Sequence, residues 1–332
     1  EKLMQSRRKD VAKAFILYRN DRTRIRENKT QLMKDITEKL MATNVQNQNA
    51  NIDEKSFGGR VGEASDVVLK KYALDNCMSK MARENHLNNE VYIHDLNSYA
   101  TGMHNCLSIP FDKLLKNGFN TRQTDVRPAQ SINTAFQLLA VIFQLQSLQE
   151  FGGVSSTHLD WTMVPYVRKS FYKHYVDGLR YVEAKDIQQY VYDIINDPEC
   201  FTEEQSIDSS WWKENNKAYT YALDMTKKEV YQAAEGMYHN LNTLQSRSGN
   251  QLPFTSINYG TCTEPEGRMV TKAILDVSIK GIGKLHKTSI FPCGIFQCMK
   301  GVNRKPGDPN YDLFQLALKS TAKRLYPNYA NV

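Results

Sequence analysis

The sequence predicts an α/β protein built on a mainly parallel sheet. Short β-type runs such as Leu252–Tyr259 and Ser289–Gln297 are separated by long helical stretches, a pattern that demands crossover connections. One helical stretch, Ser131–Leu148, is apolar on nearly every side and so must be enclosed by other elements. The 332 residues, 41% hydrophobic and 24% charged, suit a folded globular chain; disorder, collagen and a membrane bundle are excluded.

Along the chain, residues 6–27 read as a basic helix with Val11, Phe15, Ile16 and Tyr18 on one stripe, and Thr30–Met41 continues helically after a short break. NQNANID, Asn47–Asp53, is a loop, and Phe57–Glu84 is one long helical pattern. GGRVGEAS, Gly58–Ser65, is not a dinucleotide-binding turn because no strand precedes it. Val91–Leu96 and Asn105–Phe111 are short β-like runs, the second closed by Pro110. Thr157–Val176 and Asp186–Asn196 are amphipathic, and Ser206–Asn216, polar apart from Trp211 and Trp212, reads as an exposed excursion. Lys228–Arg247 is helical and turns at Gly249-Asn250 into the strand Leu252–Tyr259. Gly267–Leu285 is a helix, Ser289–Gln297 a strand, and Tyr311–Leu325 a helix opened by GDPN. No internal repeat or low-complexity segment interrupts this order.

The net charge of +7 is concentrated: residues 1–40 carry twelve Lys/Arg against six Asp/Glu, and the rest is close to neutral. A nucleic-acid groove would spread its positive charge, so no nucleic-acid partner is expected; the terminal segment is either a solvated helix face or a surface for phosphates or an acidic partner. The charge-free run Pro128–Gln149 holds six Gln or Asn, which argues for a helix buried in protein and against a membrane span. Six cysteines without a CxxC spacing indicate reduced, cytoplasmic thiols, and C-x4-C at Cys293 and Cys298 lacks the second pair a metal site needs, so no metal site is expected. A chain beginning at Glu1 is not expected to start at a natural N-terminus, which leaves no leader to look for.

Three irregular segments carry the candidate chemistry. In Tyr92–Phe111, His94 and Asp95 close one β-run and His104-Asn105-Cys106 opens the next. Cys106 with His104 two residues before it allows three readings: a nucleophile with its base, an inert buried thiol, or a redox or radical thiol. QEFGGVS, Gln149–Ser155, is an ordinary turn or a backbone cradle for phosphate. In LPFTSINYGTC, Ser256, Asn258 and Gly260 alternate along one strand face, as in a barrel interior lined for a polar ligand. Arg168, Lys169, Lys173 and His174 gather near one helix end, explained either by the helix dipole or by triphosphate binding.

Taken together, NQNANID, YIHDL with HNCL, RPAQSINTA with QEFGGVS, SGNQLPFTSINYGT, and KPGDPNYDLFQLAL with KRLYP resemble, in order over residues 45–327, the anaerobic class III ribonucleoside-triphosphate reductases, which are glycyl radical enzymes. NQNAN here stands in place of that family's usual NENAN. Residues 1–28 resemble the last helix of an ATP-cone, a regulatory nucleotide-binding domain, with a linker; residues 29–332 correspond to the N-terminal and central part of the reductase domain.

The resemblance implies a ten-stranded α/β barrel of the glycyl radical enzyme type, incomplete at the C-terminus, acting on ribonucleoside triphosphates. It implies that a glycyl radical oxidises a loop cysteine, whose thiyl removes the ribose 3′ hydrogen, and that a second cysteine, matching Cys106 in HNCL, returns hydrogen. Formate or a thiol system is the implied final reductant. His94, Asn105, Ser131 and Asn258 fall in family motifs and are expected to line the substrate cavity, while Lys169 and Lys173 are expected to bind effector phosphates. ATP or dNTP effectors, a homodimer, and a radical-SAM iron–sulfur activating enzyme are the implied regulators and partners. The thiyl cysteine, the glycyl radical loop and a four-cysteine zinc site are expected beyond Val332, so Cys293 is read as structural. A glycyl radical lyase would need two adjacent cysteines, which do not occur; a regulatory nucleotide-binding protein with an inactive barrel is the remaining alternative.

Overall fold

The computed structural model describes Gln5 and residues 8–41, 56–102, 104–185, 205–247 and 250–332. NQNANID and the helix expected at Asp186–Asn196 lie outside the described residues. The chain forms two compact units, Glu1–Met103 with Ser248–Gln251, and His104–Arg247 with Leu252–Val332.

The N-terminal unit is helical. Helix α1, Lys9–Leu40, runs unbroken through the break expected before Thr30, because that stretch contains neither Pro nor Gly to stop it. Its stripe of Val11, Phe15, Ile16 and Tyr18 is exposed. The long helix expected over Phe57–Glu84 is instead α2, Phe57–Tyr72, a π-helical turn at Ala73–Cys77, and α3, Lys80–Leu87. The division falls at Met78-Ser79, where Ser79 is extended and its hydroxyl caps α3 by accepting from the Ala82 N–H at 3.2 Å. Val91–Leu96 is no strand: Asp95 sits in the left-handed region (φ 52°), which a strand cannot accommodate, and leads directly into the short helix α4, Leu96–Tyr99.

The C-terminal unit is the predicted α/β body. In chain order it comprises β1 (Leu107–Ser108), α5 (Phe111–Asn117), a small hairpin of β2 (Phe119–Asn120) and β3 (Asp125–Val126), α6 (Ile132–Ser147) and β4 (Val154–Ser156). There follow α7 (Leu159–Tyr181), a 3₁₀ turn at Ser210–Glu214, α8 (Asn216–Thr243), β5 (Thr255–Tyr259), α9 (Pro265–Lys280), β6 (Cys293–Cys298), α10 (Tyr311–Arg324) and β7 (Asn328–Asn331). Strands β1, β4, β5, β6 and β7 form one five-stranded sheet in that spatial order, every pair parallel. Each new strand therefore adds beside the previous one after a helical crossover, as the alternation predicts.

The core lies on one face of this sheet. Val154, Ile257, Tyr259 and Phe296 pack there with Phe136, Leu139 and Phe143 of α6, Val230 and Met237 of α8, and Ile274 of α9. Helix α8 starts twelve residues before the expected Lys228, and its early turns lie so close to α7 that a Cβ on Gly178 would meet the Ala218 Cα at 2.9 Å. The segment expected to be an exposed excursion is anchored. Trp212 is only 4% exposed, stacks edge-on to Phe171 and Tyr175, and donates its indole N–H to the Ser206 carbonyl at 3.0 Å.

Candidate active site

The two faces of the sheet differ in chemistry. Strands β5 and β6 alternate strictly: Thr255, Ile257, Tyr259, Gly294, Phe296 and Cys298 are buried against helices, while Ser256, Asn258, Cys293, Ile295 and Gln297 face the other way and are half-buried. Register places Ser108, Ser155, Ser256 and Cys293 side by side across four strands, with Ser108 and Ser155 hydroxyls 3.0 Å apart. A parallel sheet is ordinarily apolar on both faces. A row of small polar groups on one face departs from that rule. Asn258 lies on that face, and its Oδ1 is buried with no hydrogen-bond partner among the described residues, an acceptor that a ligand donor would satisfy.

Cys106 stands at the edge of this face, one residue before β1. Its thiol donates to Asn105 Oδ1 (3.3 Å), and its Sγ accepts from the Gly153 N–H (3.2 Å). The QEFGGVS turn is thus packing for Asn105-Cys106, and its phosphate reading finds no support. A Cβ on Gly152 would lie 1.9 Å from the Asn105 carbonyl oxygen, and the carbonyls of Glu150, Phe151 and Gly152 all accept from the Arg247 guanidinium. Burial draws the Arg247 pKa below its usual value, opposed by its electrostatic interaction with Cys106 and Glu150. The thiol itself is exposed on this chain. Of the nucleophilic reading, no His104–Cys106 hydrogen bond is found; His104 Nδ1 lies 3.9 Å from Glu150 Oε1 instead.

The far end of β5 is held by buried polar groups. Asp160, fully buried, accepts from the Gly260 and Cys262 amides through one oxygen and from the Trp161 amide through the other. Asn303 and Asn310 both donate to the Gly260 carbonyl, at 2.9 and 3.1 Å. Gly260 adopts φ 116°, and a Cβ there would meet the Phe296 ring at 2.9 Å. Desolvation raises the Asp160 pKa above the usual carboxylate value despite these donors.

The other expected residues lie apart. Ser131 caps α6, accepting from the Thr134 N–H at 3.2 Å. Lys169 and Lys173 sit one turn apart within α7, not near its end as expected, so the helix dipole does not account for them. Their neighbours Arg168 and His174 are matched by carboxylates, Glu264 and Glu266 for the first and Glu229 for the second. Lys173 is exposed, and Lys169 is half-buried with its ammonium 5.7 Å from the centre of the Tyr166 ring. His94 belongs to the N-terminal unit, where it is largely exposed and paired with Asp95. Cys293 faces the polar side with its Sγ 4.0 Å from the Tyr326 hydroxyl, and burial pushes its pKa up.

The profile of the anaerobic ribonucleoside-triphosphate reductases matches residues 48–332. The chain belongs to this family. It is 33% identical to the anaerobic ribonucleoside-triphosphate reductase of Haemophilus influenzae over 335 residues, covering 100% of this chain and 43% of that protein. With the reductase of Escherichia coli it shares 31% identity over 332 residues, covering 99% of this chain and 42% of that protein. The chain thus spans less than half the length of these curated relatives. The fold agrees: the anaerobic ribonucleotide reductase of Thermotoga maritima, solved in complex with dATP and CTP, superposes with a TM-score of 0.54 at 14% identity, covering 91% of this chain and 49% of that one.

Sequence reasoning missed Arg247, Glu150, Asp160, Asn303 and Asn310. Each is a single polar residue most of whose partners lie well away in sequence, as in the Asp160–Cys262 hydrogen bond. The available signals were Asn310 inside the GDPNY motif and Glu150 inside QEFGGVS. Among the described residues no group of three or more His, Cys, Asp or Glu could hold a metal, and no helix is long and apolar enough to cross a membrane.

Proposed function

We propose that this chain forms the substrate-facing part of an anaerobic reductase that converts ribonucleoside triphosphates to deoxyribonucleoside triphosphates. The observation that carries the reading is the Cys106 thiol at the rim of a polar sheet face whose Asn258 offers an unsatisfied acceptor. A sugar rich in hydroxyl groups suits that face. Family membership supports it.

In this reading the five parallel strands are half of a ten-stranded barrel, whose remaining strands cover the polar face and enclose the now exposed thiol. The glycyl and thiyl radicals, supplied from the rest of the enzyme, provide the hydrogen abstraction at the ribose 3′ carbon. Loss of the 2′ hydroxyl as water leaves a carbon radical, to which Cys106 donates its thiol hydrogen atom. The Cys106 thiyl so formed and the 3′ ketone left by water loss take up the two electrons of formate or a dithiol with two protons, and the loop cysteine returns the abstracted hydrogen atom to the 3′ carbon. Transfer in this direction is feasible because S–H and activated C–H bonds are of comparable strength, and a closed site shields the radicals.

Asn105 orients the thiol through its 3.3 Å hydrogen bond, and Asn258 receives a ribose hydroxyl. The substrate-binding roles that the resemblance implies for Ser131, whose hydroxyl caps α6, and for His94 rest on sequence alone. Lys169 and Lys173 bind the phosphates of an ATP or dNTP effector. The working enzyme is a cytoplasmic homodimer, activated by a radical-SAM iron–sulfur protein, and carries its zinc outside this chain. Residues 1–28 are the end of an ATP-cone.

Replacing Cys106 with Ala in the whole enzyme tests the assignment. Deoxyribonucleotide formation is lost while effector binding persists; appreciable residual turnover removes Cys106 from the reaction.

A further inference from the structure

The Arg247 guanidinium donates to four backbone carbonyls, one at the end of α6 and three in the turn that follows it. Its Nε donates to the Ser147 carbonyl at 2.8 Å and its Nη1 to the Phe151 carbonyl at 2.9 Å. Its Nη2 donates to the Gly152 carbonyl at 2.7 Å and also to the Glu150 carbonyl. The guanidinium lies 5.2 Å from the centre of the Phe254 ring, so its plane is fixed from the side of β5 as well. A planar fork with several donors in fixed directions can gather converging carbonyls; an ammonium on a flexible stem cannot.

What this turn holds is the thiol. Gly153 donates its N–H to Cys106 Sγ at 3.2 Å and its carbonyl accepts from the Leu107 N–H at 3.1 Å, while Gly152 lies directly against Asn105. Without the guanidinium, the Ser147 carbonyl at the end of α6 and the three carbonyls of Glu150, Phe151 and Gly152 lose a half-buried partner and the turn is free to shift. The thiol would shift with it.

We propose that Arg247 is a positioning residue for the Cys106 thiol, acting through the 149–153 turn. It sets the direction of the sulfur without touching it or the substrate. The proposal rests on the reading of Cys106 as hydrogen donor only for its effect on turnover; its effect on the thiol is independent of that reading. Hydrogen-atom transfer needs donor and acceptor within a fraction of an ångström of the reactive geometry, so a loosened turn lowers the rate of the chemical step more than it weakens substrate binding.

The test uses the full-length reductase with Arg247→Ala and Arg247→Lys, read by steady-state kinetics and by the rate at which iodoacetamide labels Cys106, followed by peptide mass spectrometry. Arg247→Ala is expected to lower kcat about 100-fold with KM changed by no more than about threefold, and to alter the Cys106 labelling rate about fivefold or more. Added guanidinium ion restores both in Arg247→Ala, because it refills the same cradle. Arg247→Lys keeps the charge and much of the bulk, so it guards against a failure of the Ala variant to fold; it is expected to lose kcat in the same way. Normal kcat in folded Arg247→Lys, or a labelling rate unchanged while only thermal stability falls, overturns the positioning role. Retained turnover in Cys106→Ala would instead remove the hydrogen-donor reading and leave the labelling result to judge Arg247 alone.

Discussion

Gly152 and Asn105 are in such close contact that no side chain fits between them: a Cβ on Gly152 would stand 1.9 Å from the Asn105 carbonyl oxygen and 2.2 Å from its Oδ1. The neighbouring Gly153 is less confined, its nearest atom to an added Cβ being the Phe254 carbonyl oxygen at 3.7 Å. Two adjacent glycines therefore do different work. One permits the approach of two backbones, and the other supplies the N–H that reaches Cys106.

Gly152→Ala is expected to destabilise the fold by about 1–3 kcal/mol, because backbone has to move to admit the methyl group. Gly153→Ala should cost less than about 1 kcal/mol. Chemical denaturation of both variants measures this, and equal losses would contradict the geometry.

Asp160 gives the stability a pH dependence of known sign. Its folded pKa is raised, so between the ordinary Asp value and that higher value the folded protein binds more protons than the unfolded chain. Its contribution to stability therefore falls as pH rises through that window. Asp160→Asn removes this slope, and it also destabilises the protein by about 1–3 kcal/mol, since an amide cannot accept from all three backbone N–H groups. Denaturation midpoints for both proteins across mildly acidic pH decide the matter; parallel curves would show that Asp160 does not titrate there.

How much of this was legible in the sequence differs from element to element. Helix α6 was plain because its sequence is apolar on nearly every side, although Asn133, Gln137 and Leu145 stay exposed, and β5 because Thr255–Tyr259 alternates buried and half-buried positions. The strand expected at Val91–Leu96 failed on a single backbone angle, at Asp95, which composition does not announce. Trp211 and Trp212 looked exposed because their polar flanks conceal partners, Phe171 and Tyr175, some 40 residues earlier. Cys106 and Asn258 were singled out because motifs mark them. Arg247 was not, since its meaning lies in carbonyls about a hundred positions away.

The effector assignment makes a separate prediction. Lys173 is exposed and Lys169 half-buried, so replacing both with Ala should leave thermal stability nearly unchanged. Effector affinity of the whole enzyme should fall about tenfold or more, as expected when charged hydrogen bonds to phosphate are lost. Calorimetric titration with dATP measures this, and unaltered affinity would place the effector elsewhere.

The central claim is that hydrogen reaches the ribose from the Cys106 sulfur. A thiol proton exchanges with water, so turnover of the full-length enzyme in D2O should deliver deuterium to the 2′ carbon of the product, read by NMR or mass spectrometry. Product that carries only protium at that carbon would contradict the account.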